Sequence, residues 1–477
     1  MKISVAQIEK ILDEAAIPHF VAGQVPRGEI VAFNIDSRKI SAGEIFVALK
    51  TATRDGHDYV EAACRRGAAA ALVSVVAKSE LPQICVTGDT LSALQKIARG
   101  WREKFFNGIV VGVTGSVGKT STKDMLAAVL SEHATTKATF ANLNNTIGVP
   151  LTILGADSER DKFLVVEAGM SVCGEVEQSA QMILPDIALT TTVAPAHLEG
   201  LGTLANIARE KAALSRNLRV GGHAVFPAEL LRFEAFADLE CPRIVVAKCA
   251  RDAELAEGLL RGRRDSGIVV AEISEARDDL GFDVEMRPHH QPGARFRVAS
   301  LSRGLAENAA LVIVAARLCG VTDEKISRVL AAWKPSRNRG EIRVDCRGRK
   351  FFVDCYNASP ASILDSVAAF SRETKNSPRR LFLLGGVNEL GADSERLHRE
   401  VGEKLALSPA TDSLAVFGGN ARFYAVGAAA TGFPQEKIFA FDDIDALRKF
   451  VAEFDGDVFI KGSRGFALER VLPPEVA

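Results

Sequence analysis

Gly112-Val113-Thr114-Gly115-Ser116-Val117-Gly118-Lys119-Thr120-Ser121 is the stretch on which the reading of this chain turns. Ahead of it, Ile109-Val110-Val111 is a short, apolar, β-branched run of the kind that forms a buried strand. Behind it, residues 121–133 place Met125, Leu126, Val129 and Leu130 on one helical face. Strand, glycine loop and helix in that order make a phosphate cradle. Glycines let backbone N–H groups converge on phosphate oxygens, and the helix N-terminus adds a partial positive charge. Gly115, Ser116, Val117, Gly118, Lys119, Thr120 and Ser121 are therefore candidate ATP-binding residues, with Lys119 reaching the β- and γ-phosphates and Thr120 ligating magnesium. The spacing is uncommon: Val113 stands where the usual loop has its first glycine, and the glycines fall at 112, 115 and 118. The alternative is a glycine-rich turn with a surface lysine, against which strand, glycines, Lys-Thr and helix all agree.

Composition narrows the class. A chain of 477 residues is too long for one core, so roughly two to four domains are expected. A formal net charge of −1 gives no general attraction to nucleic acid or to an anionic membrane. Any anionic ligand must then be held by local sites, and no nucleic-acid partner is expected. The 8 cysteines are scattered without a C-x-x-C pair, which reads as reduced thiols in a cytoplasmic protein. Met1-Lys2-Ile3-Ser4-Val5-Ala6-Gln7 lacks a cationic-then-apolar signal pattern, and no apolar run approaches the length of a membrane span.

Three α/β units are expected, at 1–86, 87–333 and 334–477. In the first, a helix over 5–15 precedes short strands at 31–35 and 44–49. Asp36-Ser37-Arg38 and Arg54-Asp55-Gly56-His57-Asp58 each follow a strand, where loops carry ligands in α/β folds; a turn with a surface ion pair is the plainer reading of both. An amphipathic helix over 90–106 leads to the nucleotide loop. Asn142, Asn144 and Asn145 then surround a turn, either meeting a nucleotide or capping their own backbone. Phe163-Leu164-Val165-Val166-Glu167 is a buried strand ending in a carboxylate, which needs a cation or donors beside it. The strand 187–192 runs on towards His197. By itself His197 reads as structural, and Lys211, on a helix over 207–218, as a solvated cation. A strongly apolar helix over 305–319 carries Asn308.

From 334 onward, helices and strands alternate, which implies a parallel sheet covered on both faces. Strand-following junctions at Asp354-Cys355-Tyr356-Asn357-Ala358-Ser359-Pro360, at 385–391 and at Lys461-Gly462-Ser463-Arg464 would crowd one sheet edge.

Together these pieces resemble the Mur ligases, ATP-dependent amide-forming enzymes of bacterial cell-wall precursor synthesis. The resemblance runs along nearly the whole chain. It rests on Gly115–Ser121, Asn144-Asn145-Thr146-Ile147-Gly148-Val149-Pro150, the 354–360 junction, Glu389-Leu390-Gly391 and Lys461-Gly462-Ser463-Arg464. It implies a three-domain α/β fold: an N-terminal uridine-binding domain, a central P-loop ATPase domain with a mostly parallel sheet, and a C-terminal Rossmann-like domain. Within the family, the chain is most similar to the type that joins D-alanyl-D-alanine to UDP-N-acetylmuramoyl-tripeptide through an acyl phosphate. Ligases adding a single amino acid are the alternative, and a non-catalytic ATP-binding regulator is the alternative of another class.

The resemblance also implies roles. Ser37, Arg38, Asp55 and His57 would hold the uridine diphosphate end. Lys119 and Thr120 would hold ATP and a first magnesium; Glu167, His197 and Lys211, carbamylated to N6-carboxylysine, would hold a second. Asn145 and Asn308 would contact the nucleotide, the latter on its adenine side. Arg339 would swing toward the γ-phosphate as the third domain closes. Asp354, Tyr356, Asn357 and Ser359 would contact nucleotide and dipeptide. Lys119, Glu167, His197, Lys211 and Arg339 are thus the catalytic candidates. Gly304-Leu305 stands where the family often has His-Asn, and Gly386 where it often has aspartate. A monomer is expected.

Overall fold

The computed structural model describes residues 2–26, 28–260, 265–276, 281–408 and 412–476. Three sheets lie in chain order. The first has five strands, ordered in space as His19–Ala22, Gln83–Val86, Ala70–Val73, Glu44–Val47 and Ala32–Asn34, all parallel except the first pair. Its leading helix, Val5–Glu14, starts in a capping box in which Ser4 and Gln7 satisfy each other's backbone N–H.

The helix Thr90–Lys104 ties this unit to the next. Arg102 on it is wholly buried; it donates to the carbonyls of Phe106, Ile183 and Leu184 and, over 2.7 Å, to the Asp186 carboxylate. A buried guanidinium is tolerated only when every side of its fork is met, as here. One apolar core runs from Ile3, Ile8 and Val86 through Trp101 to Val166, Leu214 and Phe226, so the first and second units share their interior.

The second sheet has nine strands, parallel from Thr136–Ala138 at one edge to Ser266–Glu275, then antiparallel through Phe282–Pro288 and Ala294–Val298. Val110, Val111 and Val113 in the strand Ile109–Thr114, and Leu164, Val165 and Val166 in Phe163–Glu167, are all fully buried, because helices cover both faces. The strand before the glycine loop runs three residues beyond the expected 109–111. The following helix, Lys119–Ser131, begins two residues earlier than expected, because Gly118 at φ +82° turns the chain directly into it.

The third sheet has six strands in the order Glu341–Val344, Lys350–Asp354, Asp457–Lys461, Arg380–Gly385, Ser413–Phe417 and Ile438–Phe441, antiparallel only at the first pair. Asp354 and Gly385 close their strands and Lys461 closes the strand between them, so the three junctions do meet at one edge. No helix among the described residues is long and apolar enough to cross a membrane.

Candidate active site

Two glycines shape the phosphate loop by close approach. Gly115, at φ +150°, lies where an added Cβ would stand 1.8 Å from Thr191 Oγ1; at Gly118 it would stand 2.2 Å from Asn308 Nδ2. A side chain at either place would have to displace its neighbour and would strain a backbone at positive φ. The neighbouring strand end fixes the loop. Ser116 N–H donates to the Thr192 carbonyl over 2.8 Å, Val117 N–H donates to Thr192 Oγ1 over 3.1 Å, and Thr191 Oγ1 donates to the Val117 carbonyl over 2.6 Å. Two loop N–H groups are thus spent on holding its shape. The first intrahelical bond is Thr122 N–H to the Gly118 carbonyl. The N–H groups of Gly118, Lys119, Thr120 and Ser121 precede that bond and stand at the positive end of the helix.

Lys119 Nζ folds back onto the Gly115 carbonyl at 2.8 Å, and burial lowers its pKa, with Glu167 and Glu389 acting the other way. Glu167 is fully buried. Its Oε1 accepts from the Thr120 hydroxyl at 3.0 Å and from Asn144 Nδ2 at 2.7 Å, while Oε2 has no partner. A buried carboxylate oxygen left unmet beside a threonine hydroxyl suits a hard divalent cation. Of the asparagines, Asn144 thus serves the site. Asn145 caps its own helix, its Oδ1 accepting from the N–H groups of Ile147 and Gly148.

His197 takes the left-handed region at φ +56° and donates from Nδ1 to the Glu389 carboxylate of the third unit, itself at φ +63°. Burial lowers the His197 pKa, helped by Lys119 and opposed by Glu389. Lys211 is not solvated: it is 1% exposed on the helix Leu204–Arg216, and burial, with Lys119 adding to it, holds its pKa well below the ordinary lysine value. That corrects the plain reading of a helix lysine, which knows nothing of what packs over the helix.

The third unit closes the cleft. Arg339 Nη2 donates to Thr120 Oγ1 over 3.1 Å, and its guanidinium lies 3.9 Å from the Tyr356 ring centroid. Lys461, almost fully buried, donates to Asp354 Oδ2 at 2.5 Å and to the Asn357 carbonyl at 3.2 Å, which fixes the 354–357 junction. Ser359 caps the helix Pro360–Glu373, exchanging bonds with Ser362. Asp365 accepts from Ser302 Oγ at 2.5 Å and from Gly304 N–H at 3.1 Å, so the backbone at the Gly304 departure is a docking point for the third unit. The cleft so enclosed has a volume of about 1190 Å³ and is walled by Ser116 to Ser121, Asn145, Glu167, His197, Asn308, Arg339, Asp354, Tyr356, Asn357 and Ser359.

The remaining expected residues lie elsewhere. Arg38 forms a bidentate surface pair with Asp36, both bonds at 2.9 Å, and lowers the Asp36 pKa to about 2. Ser37 is buried in that turn. His57 donates from Nδ1 to Asp55 at 2.6 Å and accepts at Nε2 from Ser74 N–H at 2.9 Å. Ser37, Arg38, Asp55 and His57 do not line the cleft, and neither does Lys211. Glu389 and Lys461 belong to the site without a role read from the sequence, although each sits in one of its strand-following junctions, and of the three asparagines left open there Asn144 is the one that reaches Glu167. His398 had no signal at all: it accepts at Nε2 from Val387 N–H over 3.0 Å and donates from Nδ1 to the Ser394 carbonyl, pinning the loop that carries Glu389.

The chain is similar to known proteins along most of its length. The Mur ligase family catalytic domain is matched over residues 29–101, the Mur ligase middle domain over 113–316, and the Mur ligase glutamate ligase domain over 338–464. The UDP-N-acetylmuramoyl-tripeptide–D-alanyl-D-alanine ligase of Treponema pallidum is 31% identical over 454 residues, 92% of each chain. The enzyme of the same name from Escherichia coli is 31% identical over 445 residues, again 92% of each. A crystal structure of MurF from Acinetobacter baumannii superposes with a TM-score of 0.82 at 25% identity, covering 99% of this chain and 98% of that one. MurF ligase from Thermotoga maritima in complex with ADP gives 0.75 at 27% identity, covering 93% and 96%. The three family matches follow one another along residues 29–464, relatives at 31% identity cover 92% of the chain, and the chain belongs to the Mur ligase family.

Proposed function

We propose that this chain is an ATP-dependent amide ligase that joins D-alanyl-D-alanine to UDP-N-acetylmuramoyl-tripeptide, releasing ADP and phosphate. The observation that carries the reading is the meeting of Arg339, from the third unit, with Thr120 of the phosphate loop beside a buried Glu167. A regulator that merely binds nucleotide has no use for that convergence. Relatives named for this reaction match 92% of the chain, which favours the dipeptide over a single amino acid as acceptor.

The chemistry follows from the parts. The tripeptide's terminal carboxylate is a poor electrophile. Its oxygen attacks the γ-phosphorus of ATP, the bond to ADP breaks, and an acyl phosphate results. The dipeptide amine then attacks the carbonyl carbon, loses a proton, and phosphate leaves. Lys119 and Arg339 neutralise charge on the phosphoryl group in flight, and the loop N–H groups orient it. Closure of the third unit keeps water from the acyl phosphate. Thr120 would hold a first magnesium ion, and Glu167, His197 and Lys211 a second, which would offset phosphate charge. Lys211 suits carbamylation, since burial lowers its pKa and so favours the neutral, nucleophilic amine. Attack on carbon dioxide with loss of one N–H proton gives a carbamate, a carboxylate analogue.

The same reading gives residues 1–86 the uridine end, through Ser37, Arg38, Asp55 and His57 at strand termini, 87–333 the ATP, with Asn145 and Asn308 beside it, and 334–477 the dipeptide, through Asn357 and Ser359. It extends to a monomer acting in the cytoplasm. The test is phosphate release with ATP, magnesium, UDP-N-acetylmuramoyl-tripeptide and D-alanyl-D-alanine, each omitted in turn. Release that needs all four, with a pentapeptide product by mass, is expected. Release that ignores the dipeptide but answers to a single amino acid would overturn the acceptor assignment.

A further inference from the structure

The antiparallel end of the nine-stranded sheet carries a second cluster, whose residues do not line the cleft. Strands Phe282–Pro288 and Ala294–Val298 are joined through His289, His290 and a short turn. His289 N–H donates to the Ile268 carbonyl over 3.0 Å, which fixes its place at the strand end. His290 takes φ +65°, and its ring lies against that of His289, tilted by 35° with centroids 3.7 Å apart. The helix Ala250–Leu259 packs against the adjoining strands and brings Glu257 Oε2 to 3.7 Å from His289 Nε2.

The His289 side chain is 11% exposed, yet neither ring nitrogen has a hydrogen-bond partner. Imidazole always carries at least one N–H donor, and when neutral one lone-pair acceptor, so a sheltered ring with both nitrogens unmet calls for a ligand. One ligating atom each from Glu257, His289 and His290 lies within 4.8 Å of the others. A tetrahedral ion with bonds near 2.0–2.2 Å holds its donors roughly 3.3–3.5 Å apart, so small side-chain rotations close the set. Two imidazoles and one carboxylate select zinc-like ions over magnesium or calcium, which take all-oxygen shells.

We propose that Glu257, His289 and His290 form a binding site for a divalent first-row transition-metal ion of the zinc class, which clips the helix Ala250–Leu259 to the antiparallel ribbon. Solvent completes the coordination. The site is independent of the nucleotide cleft, and Glu257→Gln and His290→Ala leave ligase activity unchanged.

The experiment uses the full chain, freed of metal by a chelator, titrated with zinc in calorimetry and with cobalt(II) as a spectroscopic probe. One equivalent of zinc binds, and cobalt(II) gives visible tetrahedral bands without the near-ultraviolet thiolate absorption that a cysteine site would produce. Zinc affinity falls at least about tenfold in Glu257→Gln and is lost in His289→Ala. Zinc also raises the Tm of the wild-type chain and not of His289→Ala. Glu257 and His290 are exposed, so their substitution does not endanger folding. Zinc binding that persists undiminished in Glu257→Gln and His290→Ala, cobalt spectra dominated by thiolate, or no binding by the wild-type chain would overturn the proposal.

Discussion

The Arg339 guanidinium donates to the Thr120 hydroxyl over 3.1 Å, so a residue of the third unit stands on the threonine of the phosphate loop. Its stacking on Tyr356, at 3.9 Å, holds the planar group in that direction. Arg339→Ala is therefore expected to lower kcat by about 10²-fold or more with little change in ADP affinity, and Arg339→Lys to recover only part of it. Steady-state kinetics beside calorimetric ADP titration separates the two effects.

Glu167 offers one bonded and one unmet carboxylate oxygen. Glu167→Gln keeps the shape and the bonds from Thr120 and Asn144 but removes the charge. The magnesium concentration for half-maximal activity should rise by at least about tenfold, and kcat should fall. A magnesium titration of phosphate release reads both, and an unchanged midpoint would remove Glu167 from the metal site.

Lys211→Ala should lose nearly all activity, and added short-chain carboxylic acids should restore part of it by standing in for the carbamate. Lys211→Arg should be inactive and resist rescue, because a guanidinium stays protonated. Full activity in Lys211→Ala would sink the carbamate assignment.

His398 is buried and neutral, and burial lowers its pKa from the ordinary 6.5. A depressed folded-state pKa means that the unfolded chain binds the proton first. The stabilisation is whole above pH 6.5 and is lost as pH falls through the folded value. His197 shifts in the same direction, so the difference between wild type and variant is the quantity to follow. The Tm of the wild-type chain should drop below about pH 6.5, and His398→Gln, which keeps an acceptor but does not titrate, should flatten part of that slope.

Local chemistry was legible in the sequence and convergence was not. The strand, loop and helix around Lys119 are adjacent in the chain, so their glycine pattern announced them. The alternation after residue 334 announced the third sheet. The helices Glu175–Ile183 and Asp323–Ala332 and the strand Phe282–Pro288 were not anticipated, although the last alternates buried and half-buried residues along its length. The cap of Asn145 and the bridge of Asn144 could not be told apart from sequence, because one partner is three residues away and the other twenty-three. Glu389 meets His197 across 192 positions, and burial of Lys211 depends on everything packed over its helix. Such pairings are properties of tertiary structure, which short-range pattern does not encode.

The core shared by the first two units has a thermodynamic consequence. Separating them would open the continuous apolar core that joins Ile3, Ile8, Ile11 and Val86 to Trp101, so they hold together as one body. The third unit has apolar cores of its own, which only Leu198 and Leu301 join from outside among the described residues; its other ties include Arg339, Asp365 and Glu389, all polar. Opening the cleft therefore wets little apolar surface and carries a small heat-capacity change. The balance between open and closed forms should drift only gently with temperature, far less than the stability of the folds on either side of the hinge.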